Sequence, residues 1–495
     1  MKQRSRFALA LTASAALVLA ACGGDDETSN TEVAATEAPA GSEAPAATEA
    51  PVETEAPAEE LTASDTGITE TTITIGVAVA DLEAVRAAGI SIPETLTTEH
   101  LFDRWKVFTD QWNSEGGING RTIELVQLVW DPLNQASFDT LCAEATVDNE
   151  LFMVLNGTGL SGVARNCILE AGVPIFYGDT VSPEELETGL MMTVALPSDA
   201  AARAGVASWL SNTTAEAGAT IGVLANNTPA ISAAGAAAQA ALEEAGYVVE
   251  KVELNSLSGD NAAINAEGEA SVGTFQAAGA VEVLVATPFT ENTGFWTAAA
   301  ASSMPFTMLD TSSSGCSPFG LSRVAAAAAG TLCATTFDHG TNAAGEKAVD
   351  SEFEAECRAF FDASFEEYYG GKSMLGVPAG QKITDAAGNE LISDYTPLEC
   401  SIANVLKLAL TAAGANPTRA SFMEATFGLG EVPLAQMSGG MGMLSADKPY
   451  AATQVHTVKI TLADATVAPD DAGLYNGCAA PVNCGIVQND WVAFD

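Results

Sequence analysis

Short apolar runs alternate with longer stretches of helical periodicity along most of the chain. TITIGVAVA (72–80) is β-branched and predicts a strand. In EHLFDRWKVFTDQWN (99–113), Leu101, Trp105, Phe108 and Trp112 recur at i, i+4, i+7 and i+11, one face of a helix. RTIELVQLVW (121–130) then predicts a strand, SFDTLCAEATVDN (137–149) a helix and LFMVLNG (151–157) a buried strand. GVARNCILEAG (162–172) and VPIFYG (173–178) add one more helix and strand. The alternation restarts at ATIGVLANN (219–227) and runs through AAGAAAQAALEEAG, YVVEKVEL, INAEGEASVGTFQAAG and VEVLVATPF to FTMLD (306–310). Apolar strands alternating with helices predict α/β architecture, with parallel sheets covered on both faces. Two such runs predict two lobes, divided near Pro197-Ser198.

Beyond residue 330 the pattern is less regular. SEFEAECRAFFDASFEEYYGG (351–371) reads as a helix ending at a glycine pair. LECSIANVLKLALTAAGANP (398–417) reads as a helix stopped by Gly and Pro. GMGMLSADKPYAATQVHTVKITL (440–462) to CGIVQNDWVAF (484–494) reads as short strands and turns. Periodicity does not assign these late elements to a lobe.

The first 71 residues change the picture. Lys2, Arg4 and Arg6 precede an apolar stretch from Phe7 to Ala21, too short to span a bilayer and shaped as a secretion signal. Leu19-Ala20-Ala21-Cys22 resembles the bacterial lipoprotein cleavage signal, which implies removal of residues 1–21 and lipidation of Cys22. Residues 22–71 read as a stalk. Glu-Ala-Pro recurs every six residues from Glu37 to Glu55, and Asp25–Glu70 carries 13 acids, no base and little to bury, so disorder is expected. About 45 such residues span roughly 40 Å as a coil and up to ~140 Å when extended.

Without leader and stalk, 51 acids stand against 16 bases, a net charge near −35. Such a surface repels nucleic acid and anionic head groups, so membrane attachment is expected through the lipid alone. Eight cysteines remain, an even number in an exported chain, and predict disulfides. The sequence leaves the pairing open; the sequential set Cys142–Cys167, Cys316–Cys333, Cys357–Cys400 and Cys478–Cys484 is the one expected here. No Cys-x-x-Cys pair occurs and His100, His339 and His456 are scattered, so no zinc site or other metal is expected. The acidic turns DAAGNE (385–390) and APDDAG (468–473) lack the ligand spacing of a calcium loop. Gly-x-Ser-x-Gly, His-Glu-x-x-His and a phosphate-binding loop are absent, so neither enzyme activity nor a cofactor is expected.

NSEGGINGRTIELVQLVWDP (113–132) resembles the Asn-x-x-Gly-Gly-Ile-x-Gly-Arg-x-Ile/Leu segment of solute-binding receptors of the branched-chain amino acid type, with Asp131 in the place of that family's following Asp. The strand–helix–motif–strand order, the secretion signal and Cys22 agree with the resemblance. It implies a type I periplasmic-binding-protein fold: two Rossmann-like lobes joined by a three-segment hinge, a solute held in the cleft, and delivery to an ABC permease. Lobe 1 is then expected in 72–196 and 331–444, and lobe 2 in 197–330 and 445–495. The expected location is the extracytoplasmic face of the cell membrane. A sensor on the same fold and a structural surface lipoprotein are the alternatives.

The resemblance also implies site residues at the carboxyl ends of strands, where open α/β sheets bind ligands. In lobe 1 a hydroxyl, a backbone N–H and a second hydroxyl would hold a ligand carboxylate. Thr158 or Ser161 supplies the first; Gly178 and Thr180 supply the others. In lobe 2, Asp310 falls where the family places an acid for an amino group, Phe289 where it has an aromatic wall, and Asn227 and Thr228 close another strand. Three features depart from the family: DLEAVRAAGISIPETLTTEH (81–100) is a long first loop, Asp179 stands inside the supposed carboxylate grip, and the cysteines fall inside the helices and differ from the family's usual early pair. An Asp179 that faced the cleft would repel a carboxylate and favour an amide or a cation. The solute expected is an amino acid or related amide.

Overall fold

The computed structural model of the chain describes residues 60–87, 97–157, 159–255, 261–287, 289–311 and, with interruptions, 316–493. The expected leader, Cys22 and the stalk up to residue 59 lie outside the described residues, as do Thr158 and most of the helix expected at 351–371. The end of the expected stalk is ordered instead. Thr62 N–H donates to Asn416 Oδ1 (2.8 Å), Ser64 Oγ donates to the Pro417 carbonyl (2.6 Å) and the Asp65 carboxylate accepts the Arg419 N–H (2.7 Å). Ile68 adds an apolar anchor, being 3 % exposed. Composition alone marks these residues as polar; the partners that order them come from more than 350 positions away.

The first sheet has five parallel strands in the order β2-β1-β3-β4-β5: β1 Thr72–Ala80, β2 Thr122–Trp130, β3 Met153–Asn156, β4 Ile175–Tyr177 and β5 Met191–Thr193. Helices α1 (Leu82–Ala87), α2 (Thr98–Ser114), α3 (Gln135–Ala143), α4 (Gly162–Glu170) and α5 (Pro183–Glu187) lie between the strands in sequence. The apolar stripe of α2 is buried at Trp105, Phe108 and Trp112, and Thr97 caps it by accepting the His100 N–H. The short β5 had no sequence signal, since three residues are too few to show a period.

After α6 (Ser198–Asn212) comes the second sheet. Its strands β6 (Thr220–Asn226), β7 (Val248–Leu254), β8 (Glu282–Val285), β9 (Phe306–Leu309) and β10 (Leu332–Thr335) are parallel in the order β7-β6-β8-β9-β10. They are separated in sequence by α7 (Pro229–Glu244), α8 (Asn261–Ala278) and α9 (Phe289–Ser302). Strand β10 corrects the expected boundary at 331. It pairs with β9 (Cys333↔Met308) and is tied to the β9 loop by the Cys316–Cys333 disulfide, so the chain crosses back only after Thr335.

The late chain then divides. A β11–β12 hairpin (Lys382–Thr384, Glu390–Ile392) comes first. Helices α10 (Thr396–Ala412) and α11 (Arg419–Phe427) and the hairpin β13 (Gly430–Pro433)–β14 (Met441–Leu444) pack on the α2 side of the first sheet, in one core with Trp105, Phe176 and Phe422. Strands β15 (Gln454–Thr461), β16 (Cys484–Val487) and β17 (Val492–Ala493) extend the second sheet antiparallel from β10. The disulfides among the described residues are Cys142–Cys167, Cys316–Cys333, Cys357–Cys400 and Cys478–Cys484, with Cα–Cα distances of 6.1, 6.2, 6.4 and 5.7 Å.

Three segments cross between the sheets. The first and third pair at Thr193↔Tyr450, where Ala451 N–H donates to the Thr193 carbonyl (2.9 Å), and share a small core of Leu196, Ala201, Ala204, Ala452 and Val455. The second passes Phe337, which bridges Met437, and His339. His339 Nε2 lies 2.8 Å from the Cys316 carbonyl, and His456 Nε2 lies 2.7 Å from the Phe337 carbonyl. His456 also stacks on Trp491, with ring centres 4.0 Å apart. Burial pushes His339 down to about 3, helped by the neighbouring His456, and His456 down to about 4, so both are neutral hinge residues at pH 7.

The signature WNSEGGINGR closes α2. Gly117 has φ +79°, and a Cβ there would overlap the Arg121 carbonyl, so only glycine fits. Arg121 is buried beneath the ordered end of the stalk. Its Nε donates to the Thr69 carbonyl (2.7 Å), its Nη2 to the Thr62 carbonyl (2.6 Å) and its Nη1 to the Ala415 carbonyl. Asn119 donates to the Leu410 and Gly414 carbonyls, 2.8 Å each. The motif therefore stitches three distant segments together at the amino end of β2, opposite the edge that carries the candidate site.

Candidate functional site at the carboxyl ends of the two sheets

Both lobe-to-lobe crossings that leave a parallel strand do so at its carboxyl end, after Thr193 of β5 and after Thr335 of β10. The carboxyl edges of the two sheets therefore adjoin the hinge, and the loops after β1, β3, β4, β6, β8 and β9 emerge there.

On the first sheet the family-like grip is altered. The Gly178 N–H donates to the Asn156 carbonyl (3.1 Å) and so is already engaged. A Cβ at this position would overlap the Gly157 carbonyl and lie 3.1 Å from Ile402 Cδ1, which explains the glycine by close backbone approach. Ser161 is the N-cap of α4, its hydroxyl accepting the Ala164 N–H at 3.4 Å. The Thr180 N–H donates to Asp179 Oδ1 (2.6 Å), while its partly exposed hydroxyl makes no hydrogen bond among the described residues. Asp179 is also partly exposed, and its carbonyl accepts the Thr193 hydroxyl (2.6 Å), which fixes it to the start of the first crossing.

On the second sheet Asp310 follows β9 and is 9 % exposed. Oδ1 accepts the Cys316 N–H (3.1 Å) and Oδ2 accepts the Thr335 hydroxyl (2.5 Å). Thr335 Oγ1 in turn accepts the Phe337 N–H (3.0 Å), so the carboxylate is fixed to the second crossing. Burial raises Asp310 to about 7, against the pull of its two hydrogen bonds, and the Asp179 charge adds to the rise. Asp179 and Asp310 thus sense each other from different sheets, each anchored to a different hinge segment.

The other expected residues fare differently. Asn227 is exposed, and its amide reaches Asn255 (3.3 Å) at the end of β7. Thr228 donates its hydroxyl to Asn226 Oδ1 (2.6 Å) and takes no cap bond on α7. Phe289 opens α9, and its side chain lies outside the described residues, as does Thr158.

Several residues at this edge carried no signal. Asn156, 2 % exposed, donates to the Ala78 carbonyl (2.7 Å), while its Oδ1 has no partner among the described residues. Arg104 of α2 lies 3.7 Å from Glu399 of α10, and the Glu399 carboxylate lies beside Gly157. Partners so far apart in the chain have no common pattern to read. Among the described residues there is no metal-type cluster of His, Cys, Asp and Glu, and no helix is long and apolar enough to cross a membrane.

A family model described as periplasmic binding protein matches residues 106–464. No curated protein matches the chain. The structure is similar to a fatty acid ABC transporter substrate-binding protein from Thermomonospora curvata (TM-score 0.57, 16% identity, covering 87% of this chain and 94% of that one). It is also similar to a branched-chain amino acid ABC transporter protein from Thermus thermophilus with bound valine (0.56, 14%, 85% and 96%) and a leucine-binding protein from Thermotoga maritima (0.54, 14%, 78% and 95%). With the two parallel sheets, the three crossings and a family match over most of its length, the chain belongs to the periplasmic binding protein family and has its type I fold.

Proposed function

We propose that the protein is an extracytoplasmic receptor that closes its two lobes over a small polar solute bearing an amino or amide group and passes it to an ABC permease. The observation that carries this reading is Asp310: a buried carboxylate at the end of β9, oriented by Cys316 and Thr335 and near enough to feel the charge of Asp179 on the first sheet. A cationic or amide N–H group between the two acids relieves their mutual repulsion and links the lobes, so ligand contacts favour the closed form. Among the described residues of the expected grip, the Thr180 hydroxyl is the neutral group that makes no hydrogen bond. With the Gly178 N–H engaged and Asp179 beside it, this edge is poorly suited to a free carboxylate, which favours amides and amines over an amino acid such as the valine bound to the Thermus thermophilus relative. The Leu-Ala-Ala-Cys22 signal and acidic stalk support attachment through lipid, with the folded unit held off the membrane.

The test is a thermal-shift screen of amino acids, their amides, polyamines and small aromatic acids. A true solute at 100 times its dissociation constant stabilises the folded state by ~2.7 kcal/mol. The receptor reading fails if no compound in the screen shifts the transition.

A further inference from the structure

We infer that the buried Arg165–Glu185 pair is a clasp that positions both lobe 1 solute loops, so that the loop after β3 and the loop after β4 are held in one fixed relation. Arg165 lies on α4 and Glu185 on α5; their exposures are 6 % and 3 %. The guanidinium meets the carboxylate as a fork, Nε to Oε1 at 2.6 Å and Nη2 to Oε2 at 3.0 Å. Its third nitrogen, Nη1, donates to the Leu160 carbonyl in the loop after β3. Tyr177, the last residue of β4, donates to the same carbonyl (3.3 Å) and lies under the guanidinium, 4.6 Å from Cζ to ring centre. At the other end, Glu185 Oε2 accepts the Ser182 N–H (2.8 Å) and Ser182 Oγ accepts the Glu185 N–H (3.4 Å), which closes the loop after β4.

One buried ion pair thus grips Leu160, next to Ser161, and Ser182, two residues beyond Thr180. None of the clasp atoms needs to touch a solute. Their position behind the loops makes Arg165 and Glu185 positioning residues, and the inference rests on the receptor reading for the identity of the loops. A buried fork of this kind is a poor source of stability, since well-packed apolar substitutes often do as well. Its geometric effect, two loops locked by a planar five-donor group, is not reproduced by apolar packing.

The test uses the ligand-free full chain, so no solute need be known. In the double variant Arg165→Met/Glu185→Gln the pair is removed as a unit, while the amide introduced at the second position preserves the capping contact with Ser182. The expected melting temperature stays within about 4 °C of the parent. Amide hydrogen exchange at 159–161 and 178–182 rises together by about tenfold, with the sheet strands unchanged. Acceleration of one loop alone, or of neither, at a preserved melting temperature overturns the clasp. Arg165→Lys provides a second variant: it keeps a cation opposite Glu185 but lacks the fork, and is expected to loosen the 159–161 loop. Parent-like protection in that variant also overturns it. Failure of the solute screen would sink the receptor reading while leaving the exchange result intact, so the two failures are distinguishable.

Discussion

Asp310→Asn should remove one specific part of the protein's pH dependence. In the folded chain Asp310 is raised to about 7, against roughly 3.9 in an unfolded chain. At about 1.36 kcal/mol per unit, ionising it in place costs the fold about 4 kcal/mol at alkaline pH. Because the folded value is raised, its stabilising share is complete below the unfolded value and declines as pH rises through 7. Between pH 5 and 8 the loss is roughly 2–3 kcal/mol. His339 and His456 act in the opposite sense. Their folded values, about 3 and about 4, lie below that of an unfolded histidine, so their share is full above roughly 6.5 and is lost as pH falls toward those folded values. A raw stability curve mixes the three groups; the difference between parent and variant isolates Asp310. Asparagine can keep the local geometry, its amide oxygen accepting the Cys316 N–H and its amide nitrogen donating to Thr335 Oγ1. Guanidinium denaturation of the ligand-free, disulfide-intact proteins at pH 5, 6, 7 and 8, followed by tryptophan fluorescence, gives that difference. The variant should gain on the parent by roughly 2–3 kcal/mol across the range. A difference independent of pH would show that Asp310 does not change charge there.

For an amine-bearing solute, calorimetry should show affinity rising through pH 7 as Asp310 ionises, by up to about tenfold per pH unit below its pKa, with a flat profile in Asp310→Asn. Arg121→Met should destabilise the chain by about 3 kcal/mol or more, because the Thr62, Thr69 and Ala415 carbonyls lose a buried charged donor; solute affinity of the folded fraction should not change, and a large loss of affinity would place the motif in the site. Removing the Cys316–Cys333 disulfide as Cys316→Ala/Cys333→Ala should cost about 3 kcal/mol from its short loop, seen as a lower denaturation midpoint, and an unmoved midpoint would refute it. Cys22→Ser in the producing cell should shift the protein from the membrane fraction to the soluble extracytoplasmic fraction, whereas retention in the membrane would contradict lipid anchoring.

The regions that could be read directly share one property: their residues are buried by near neighbours in a repeating element. The stripe Trp105, Phe108, Trp112 points one way because a helix turns every 3.6 residues. Strands β1, β3 and β6 read as apolar runs because helices cover both faces of each sheet. Asp310 was singled out by the resemblance, which expects an acid after this strand; the structure shows a carboxylate held there by Cys316 and Thr335. Ser182 and Glu185 form a capping box within one turn, yet nothing local shows that Glu185 also pairs with Arg165.

The rest depended on long-range partners. Whether Gly178 offers its N–H turns on Asn156, a strand away, and whether 60–71 belongs to the stalk turns on Asn416, Pro417 and Arg419. Strand β10 joins the second sheet because Cys333 lies beside Met308 and bonds Cys316, relations that its own four residues cannot encode. The sequence by itself determined the alternation of elements and the number of lobes, since these follow from periodicity and local turn chemistry; the strand ends expected to meet a solute came from the resemblance. Only the tertiary structure decided which polar groups at those ends are already engaged. A hydrogen bond or charge acts through space over a few ångströms, and its partner can stand anywhere along the chain.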